Sequence, residues 1–265
     1  MGRIEKTFLD LAELKQKALI GYIVSGDPNV SSTLMAMHLM VEEGVHVIEL
    51  GIAFSDPMAE GPSIQKGHER ALSEKISLKA TLKLVKSFRE KDKKTPVVLM
   101  GYMNTFEALG SEFFSSAAKD NGVDGVLIVD MPLEASDEFT EESRKQGLDV
   151  IRLIAPTTTE SRIKKICKQA SGYIYYISLK GITGADSINP KEVEKKVLKL
   201  KKLTDLPVVI GFGIKDGKSA SKVKDLADGV VVGSALVDIM GGNKEEIEKH
   251  LSIKIKDLSK ALHKT

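Results

Sequence analysis

A carboxylate inside an apolar strand is the feature of this sequence that best indicates chemistry. Glu49 lies in the run Val-His-Val-Ile-Glu-Leu at 45–50, which is apolar on both faces, as strands of covered parallel sheets are. An ionised glutamate in such a strand is unfavourable unless it has a partner or a task. Glu49 is therefore the first candidate for acid–base chemistry, and a plain ion pair near the strand end is the alternative.

Glycine-bearing turns near the C-terminus indicate a site for phosphate. The segments Gly-Phe-Gly-Ile at 211–214 and Gly-Ser-Ala-Leu at 233–236 each follow a predicted strand. Glycine lets the backbone approach a ligand closely, and a helix N-terminus presents unpaired N–H groups to an anion. We predict that Phe212, Gly213, Gly233 and Ser234 contact a phosphorylated substrate, with the Ser234 hydroxyl as an additional donor.

A third glycine-containing loop, at 178–187, follows the sixth predicted strand. Its small and polar residues predict a lid that orders over the substrate, excludes water and brings Thr183 and Gly184 to the site. A surface loop without a role is the alternative. Apolar and aromatic residues near strand ends predict a pocket for a flat aromatic group, although each of them singly is more often core: Tyr22, Phe54, Met100, Tyr102, Leu127, Leu153, Tyr175 and Phe212.

Metal and Schiff-base mechanisms find little support in the sequence. The histidines fall in or beside predicted helices, or near a strand start, and no His/Asp/Glu cluster has ligand spacing at the strand ends. Lys180 and Lys215 lie in loops rather than in strands, so they give no support to an amine nucleophile. A metal-free mechanism based on carboxylates remains.

Apolar segments alternate with helical patterns along the whole chain, which predicts an α/β fold. The predicted strands are 19–25, 45–51, 97–102, 125–130, 150–155, 173–178, 208–211 and 229–233. The predicted helices are 31–43, 78–91, 111–121, 133–146, 160–170, 190–203, 218–226 and 245–263, with an extra N-terminal helix at 4–17. Eight strands can close a (β/α)8 TIM barrel, which we predict as a single domain over 1–265. An open doubly wound sheet is the rival, but no nucleotide fingerprint follows the first strand.

Composition excludes several classes of function. The chain of 265 residues has a formal net charge of +2, so it lacks the electrostatic footprint of a nucleic-acid or anionic-membrane binder. Cys167 is the one cysteine and has no disulfide partner, and no run of 18 apolar residues occurs. We therefore expect a cytoplasmic location.

The sequence resembles the tryptophan synthase alpha chain family in the order and spacing of several motifs. These motifs are Glu-Leu-Gly-Ile at 49–52, Phe-Ser-Asp-Pro at 54–57, Gly-Pro at 61–62, Gly-Ile-Thr-Gly-Ala at 181–185, Gly-Phe-Gly-Ile at 211–214 and Gly-Ser-Ala at 233–235. The match extends over essentially the whole chain. The resemblance implies a barrel that cleaves indole-3-glycerol phosphate to indole and glyceraldehyde 3-phosphate.

The resemblance also implies roles for two glutamates. Glu49 matches the general acid/base of the family, which shuttles protons in the retro-aldol step. Glu60 stands where the family usually has an aspartate that stabilises the indole nitrogen, and Ala53 replaces the more usual proline. The extra methylene of Glu60 keeps the charge but moves the carboxylate by roughly 1 Å, a shift that matters for catalytic geometry.

The partner implied by the resemblance is a tryptophan synthase beta chain in an αββα assembly. Asp56, Pro57 and Asn104 would contact it, and pyridoxal phosphate would belong to that partner, with no cofactor in this chain. Two alternatives stay open. One is another phosphate-binding barrel enzyme of the same pathway, and the other is a non-catalytic activator of a beta chain, motivated by Glu60.

Overall fold

Eight parallel strands close into a barrel in the order in which they follow each other along the chain. The structure, a computed structural model, describes residues 1–177, 190–211 and 213–263. The strands are β1 (Ala18–Val24), β2 (Val47–Gly51), β3 (Val97–Gly101), β4 (Gly125–Ile128), β5 (Asp149–Ile154), β6 (Ile174–Ile177), β7 (Val208–Gly211) and β8 (Gly229–Val232). Strand β1 pairs with both β2 and β8, which closes the ring. The predicted (β/α)8 barrel is confirmed.

Helices surround the barrel and cover its outer face. They are α1 (Arg3–Glu13), α2 (Val30–Glu42), α3 (Pro62–Ser73), α4 (Leu78–Lys91), α5 (Met103–Glu107), α6 (Ser111–Asp120), α7 (Asp137–Lys145), α8 (Glu160–Gln169), α9 (Pro190–Lys201), α10 (Gly217–Ser221), α11 (Ser234–Met240) and α12 (Lys244–His263). Short 3₁₀ turns at Leu133–Ala135 and Lys224–Leu226 complete the described elements.

The predicted strands lie within two residues of the observed ones, whereas some helices differ. The helix predicted at 133–146 is a 3₁₀ turn followed by α7, because the Ser136 hydroxyl bonds back to the carbonyl of Leu133 at 2.8 Å and interrupts the regular pattern. The segment 218–226 likewise divides into α10 and a 3₁₀ turn. Helix α1 ends at Glu13 rather than at 17, because the chain turns at Lys15 with a φ of 55°. Helices α3 and α5 are not among the predictions.

The inside of the barrel is a packed apolar layer that α1 closes from below. Inward-facing residues of successive strands, such as Ile20, Val98 and Leu127, form one buried cluster with Ile4 and Phe8 of α1. A larger cluster fills the space between the strands and the outer helices. The active end of such a barrel is the opposite one, where the strands finish. The prediction of a single domain over 1–265 stays a prediction.

An ion pair between a buried carboxylate and a partly exposed guanidinium fixes three segments around that upper end. Asp27, in the loop after β1, is fully buried and accepts two hydrogen bonds from Arg70 of α3, at 2.6 and 2.7 Å. The same guanidinium donates to the carbonyl of Val237 in α11 at 3.0 Å. Because Arg70 joins the β1 loop, α3 and α11, it holds the elements that frame the barrel mouth. Of the helices that the structure describes, none is long and apolar enough to cross a membrane.

Candidate active site

Glu49 is the middle residue of β2, and its side chain is fully buried. The Tyr173 hydroxyl donates a hydrogen bond of 2.5 Å to its Oε1, while Oε2 has no hydrogen-bond partner within the described ranges. Burial raises the pKa of Glu49 to about 7, the hydrogen bond from Tyr173 opposes this rise, and the charge of Glu60 adds to it. A carboxyl group with a free oxygen and a pKa near neutrality can both accept and donate a proton.

Glu60 lies in the loop that follows β2 and is half-buried. Withdrawal from water raises its pKa to about 7, and its charge in turn raises the pKa of Tyr22 and of Tyr102. The loop is held at several points: the N–H of Glu60 donates to the carbonyl of Pro57 at 3.0 Å, and that of Ala59 to the hydroxyl of Tyr102 at 3.1 Å. Two carboxyl groups with near-neutral pKa values therefore share the barrel mouth.

Tyrosine side chains surround the two acids. Burial and the neighbouring carboxylates raise the pKa of Tyr102 to about 12 and those of Tyr22 and Tyr175 well above the usual value, so all three stay protonated. The ring of Tyr22 lies over Gly51, and the ring of Tyr175 lies over Gly211. At both positions a β-carbon would collide with the tyrosine, so the missing side chains of these glycines leave the space that the two rings occupy.

Replacing Gly51 with alanine tests this packing. An added β-carbon would meet the hydroxyl and two ring carbons of Tyr22, which is 3% exposed and has little room to move. We expect the free energy of unfolding to fall by about 1–3 kcal/mol, as for an overpacked core, measured by urea denaturation. Gly233→Ala is the matched control, because its β-carbon would lie 3.5 Å from the same ring, an ordinary contact. Equal losses in the two variants would contradict the packing argument.

Only part of the predicted phosphate site, namely Gly213, Gly233 and Ser234, lies within the described residues. Gly213 has a φ of +63°, which favours glycine, and beyond its chain neighbours no heavy atom of the described residues lies within 4 Å of the position of an added β-carbon. Gly233 precedes α11, and Ser234 is its exposed first residue. The first N–H groups of a helix have no partner within it. Phe212, Thr183 and Gly184, with the predicted lid, lie outside the described residues.

The other predicted residues fall into two groups. Met100 packs against a small buried cluster that contains Tyr22 and Val24. Leu127 is fully buried in the apolar layer inside the barrel. Asp56 and Asn104 are exposed on segments that follow β2 and β3, and Pro57 is half-buried beside Asp56. Asp56 and Pro57 thus lie in the loop after β2, which also carries Glu60, and Asn104 lies in α5, directly after β3.

Tyr173 is the important residue that the sequence analysis missed. It precedes β6 and its hydroxyl binds Glu49, yet the prediction named only Tyr175 from this segment. The alternation of strand side chains could have found it, because residues two apart face the same side. Tyr173 and Tyr175 face the barrel interior, whereas Tyr176 packs in the outer cluster.

The buried acid lowers the stability of the fold at neutral pH. Because the pKa of Glu49 is about 7 in the folded chain and 4.5 ordinarily, the folded state binds a proton more readily between these values, so stability falls as the pH rises through this window. Glu49→Gln should therefore raise the free energy of unfolding by up to roughly 3 kcal/mol at pH 8, a gain that vanishes toward pH 4.5. Urea titrations at pH 5.5 and 8 measure it.

An exposed glutamate provides the control for this stability prediction. Glu112→Gln, on the surface of α6, should change the free energy of unfolding by no more than about 0.5 kcal/mol at either pH. If Glu49→Gln were as neutral as Glu112→Gln at pH 8, the burial penalty would be absent. Within the described ranges, no group of three or more His, Cys, Asp or Glu residues is placed to hold a metal ion.

The fold and the site together define a class: a (β/α)8 barrel with a pair of carboxyl groups at its mouth, of near-neutral pKa, among protonated tyrosines. A family model described as tryptophan synthase alpha chain matches residues 8–264. The chain belongs to this family, whose members are lyases.

Individual relatives agree with the family match. A tryptophan synthase alpha chain from Thioalkalivibrio sulfidiphilus is 49% identical over 248 residues, which cover 94% of this chain and 93% of the relative. One from Marinobacter nauticus is 50% identical over 246 residues, 93% of this chain and 91% of the relative.

Solved structures extend the agreement to the fold. The subunit alpha from Legionella pneumophila superposes with a TM-score of 0.92 at 39% identity, covering 99% of this chain and 98% of that one. A chain of the tryptophan synthase a2b2 complex from Pyrococcus furiosus gives a TM-score of 0.85 at 40% identity, covering 92% and 98%.

Proposed function

We propose that this chain catalyses the alpha reaction of tryptophan synthase, the retro-aldol cleavage of indole-3-glycerol phosphate to indole and D-glyceraldehyde 3-phosphate. The observation that carries the proposal is the Glu49 carboxyl group, which is fully buried, has a pKa of about 7 and has no hydrogen-bond partner for Oε2 among the described residues. The carbon–carbon bond breaks when the indole ring carbon is protonated and the glycerol hydroxyl loses its proton. Glu49 moves these protons and is not consumed.

Glu60 stabilises the indole nitrogen as it becomes positive. Support comes from its position in the loop after β2 and from its charge, which raises the pKa values of Glu49, Tyr22 and Tyr102. When ionised, its carboxylate can accept a hydrogen bond from the indole N–H. The surrounding aromatic rings, including Phe54 stacked on Tyr102 with centroids 5.1 Å apart, suit a flat bicyclic substrate.

The substrate phosphate binds at Gly213, Gly233 and Ser234. The open space at Gly213 and the start of α11 support this assignment. Met100, Leu127, Tyr102 and Tyr175 line or support the aromatic subsite, and Thr183, Gly184 and Phe212 complete the closed site. No metal takes part in this proposal.

The partner in this proposal is a tryptophan synthase beta chain, which receives the indole and holds pyridoxal phosphate. Asp56 and Pro57 border a surface cavity of about 330 Å³, together with exposed Met58, and Asn104 lies exposed in α5, which follows β3. The lining of this cavity combines apolar side chains such as Phe54 and Leu72 with polar ones such as Gln65, a mixture found in non-obligate protein interfaces. A cytoplasmic location remains the expectation.

Turnover of the purified chain tests the proposed function. We expect free indole and glyceraldehyde 3-phosphate from indole-3-glycerol phosphate, faster when a beta chain is added, and co-elution of the two chains in gel filtration. Conversion of the substrate without free indole would instead indicate another barrel enzyme of the pathway. Stimulation of the beta chain without any indole release would indicate a non-catalytic activator.

A further inference from the structure

Helix α1 has no place in the proposed reaction, yet it contacts the residue that holds Glu49. The ring of Phe8 lies against the ring of Tyr173, with centroids 5.7 Å apart and planes inclined by 49°. The hydroxyl of Tyr173 donates to Oε1 of Glu49 at 2.5 Å. All three side chains are buried, Tyr173 and Glu49 completely. A continuous contact thus runs from the N-terminal helix to the candidate catalytic carboxyl group.

We propose that Phe8 is a positioning residue: it holds the ring of Tyr173, whose hydroxyl fixes Oε1 of Glu49, so that Oε2 stays directed to the substrate. This inference rests on the role proposed for Glu49. The function of α1 is then to set the catalytic geometry from below, in addition to closing the barrel.

Tyr173 depends on few groups for its orientation. Its hydroxyl has one hydrogen bond in the described part of the chain, to Glu49, and Phe8 provides its one aromatic contact there. The other buried members of its cluster are aliphatic residues, which fill space but do not direct a hydroxyl group, and Met100 and Tyr175 are among the partly buried residues that pack against the cluster. The ring orientation therefore depends on packing, and Phe8 is the largest side chain that α1 contributes to it.

The space beneath Phe8 makes this packing sensitive to its size. Phe8 borders a cavity of about 1080 Å³ at the end of the barrel where strands begin, lined also by Leu11, Leu148, Gly172 and Pro207. A shorter side chain at position 8 would leave Tyr173 room to shift toward this cavity. A shifted ring would lengthen a hydrogen bond whose distance is now at the short end of the normal range.

The ionisation of Glu49 reports the state of this contact. The groups that face Glu49 are Tyr22 from β1, Tyr173 and Tyr175 from the β6 segment, and Glu60 from the loop after β2. Of these, the Tyr173 hydrogen bond is the one that lowers the pKa of Glu49. Weakening this bond should therefore raise the pKa of Glu49, and loss of the Glu60 charge would lower it.

The test compares Phe8→Leu with Phe139→Leu, a matched change in the outer layer, where Phe139 packs against Phe106 and Phe114. The pKa of Glu49 is measured by carbon-13 NMR of labelled glutamate carboxyl groups, with Glu49→Gln to assign the signal. We expect Phe8→Leu to raise this pKa and to lower kcat about tenfold with little change in KM, as a small displacement of a catalytic group does. Phe139→Leu should lower stability alone.

A double variant separates positioning from general destabilisation. Tyr173→Phe removes the hydrogen bond, so it should raise the pKa of Glu49 by itself, and Phe8→Leu should then have no further effect on it. The proposal would be overturned if Phe8→Leu still changed the pKa of Glu49 in the Tyr173→Phe background. It would also be overturned if Phe8→Leu and Phe139→Leu changed this pKa equally. If the parent chain released no indole, the proposed function would fail instead, and if Glu49→Gln kept full turnover, the role of Glu49 in it would fail. In both cases the NMR comparison would still decide whether Phe8 holds Tyr173 against Glu49.

Discussion

Glu49→Gln is expected to lower kcat for indole release by about a hundred- to ten-thousand-fold, the range over which positioned acid–base groups act. Glutamine has the shape of glutamate and its carbonyl can still accept the hydrogen bond from Tyr173. It has no proton to exchange near neutral pH, so the proton transfer is lost while the binding site remains. We therefore expect KM to change by less than about threefold, as for an interaction made only in the transition state.

Indole production measured by a continuous assay, with and without a beta chain, gives the result. The variant should still bind the beta chain, because Asp56, Pro57 and Asn104 are untouched. Glu112→Gln, exposed on α6, is the control and should keep the parent rate. A Glu49→Gln variant that retains a tenth or more of the parent kcat would remove Glu49 from the mechanism.

The pH profile adds an independent check of the same residue. Because burial raises the pKa of Glu49 to about 7, one limb of the profile of kcat/KM should lie near neutral pH rather than near 4.5. Glu49→Gln should lose the contribution of Glu49 to this limb, and a residual limb in that variant would report Glu60, whose pKa is also about 7. A profile that is flat from pH 6 to 8 in the parent chain would contradict the raised pKa.

The sequence predicted the barrel well because its signals are local and repeated. Each strand is a short apolar run bounded by turns, and glycines 44, 122, 147 and 172 all adopt positive φ where helices finish. Predicted helices went wrong where tertiary contacts decide, as at Ser136, whose hydroxyl also receives a hydrogen bond from the buried Arg152. Helix α3 begins at Pro62, a residue type that favours the first position of a helix, but it is not among the predicted helices.

The site could be predicted in its chemistry but not in its internal contacts. A charge in an apolar strand is visible in a sequence, and so is its expected shift in pKa. That Tyr173 holds Glu49 is not, because the two residues are 124 positions apart and meet only when the barrel closes. The same holds for Gly51 and Gly211, whose lack of a side chain makes sense only beneath Tyr22 and Tyr175.

Glu60→Gln is expected to lower kcat about a hundredfold, because a neutral amide no longer stabilises the positive indole nitrogen in a buried site. The loop backbone should stay in place, since Glu60 contributes its N–H to Pro57 and its carbonyl to Gln65 irrespective of the side chain. Glu112→Gln, exposed on α6, is again the control and should keep the parent rate. Unchanged kcat in Glu60→Gln would mean that Glu60 is a solvated loop acid.

Glu60→Asp distinguishes charge from reach. Aspartate keeps the charge but withdraws the carboxylate by roughly 1 Å, and the loop, tied to Tyr102 through Ala59, does not follow freely. We expect a loss in kcat of about tenfold, smaller than for glutamine. The pH profile should separate the two variants as well: the Glu60 charge raises the pKa of Glu49, so its removal in Glu60→Gln should move the Glu49 limb to lower pH, whereas Glu60→Asp should leave it near the parent position. Equal shifts in both variants would show that the two acids do not interact through charge.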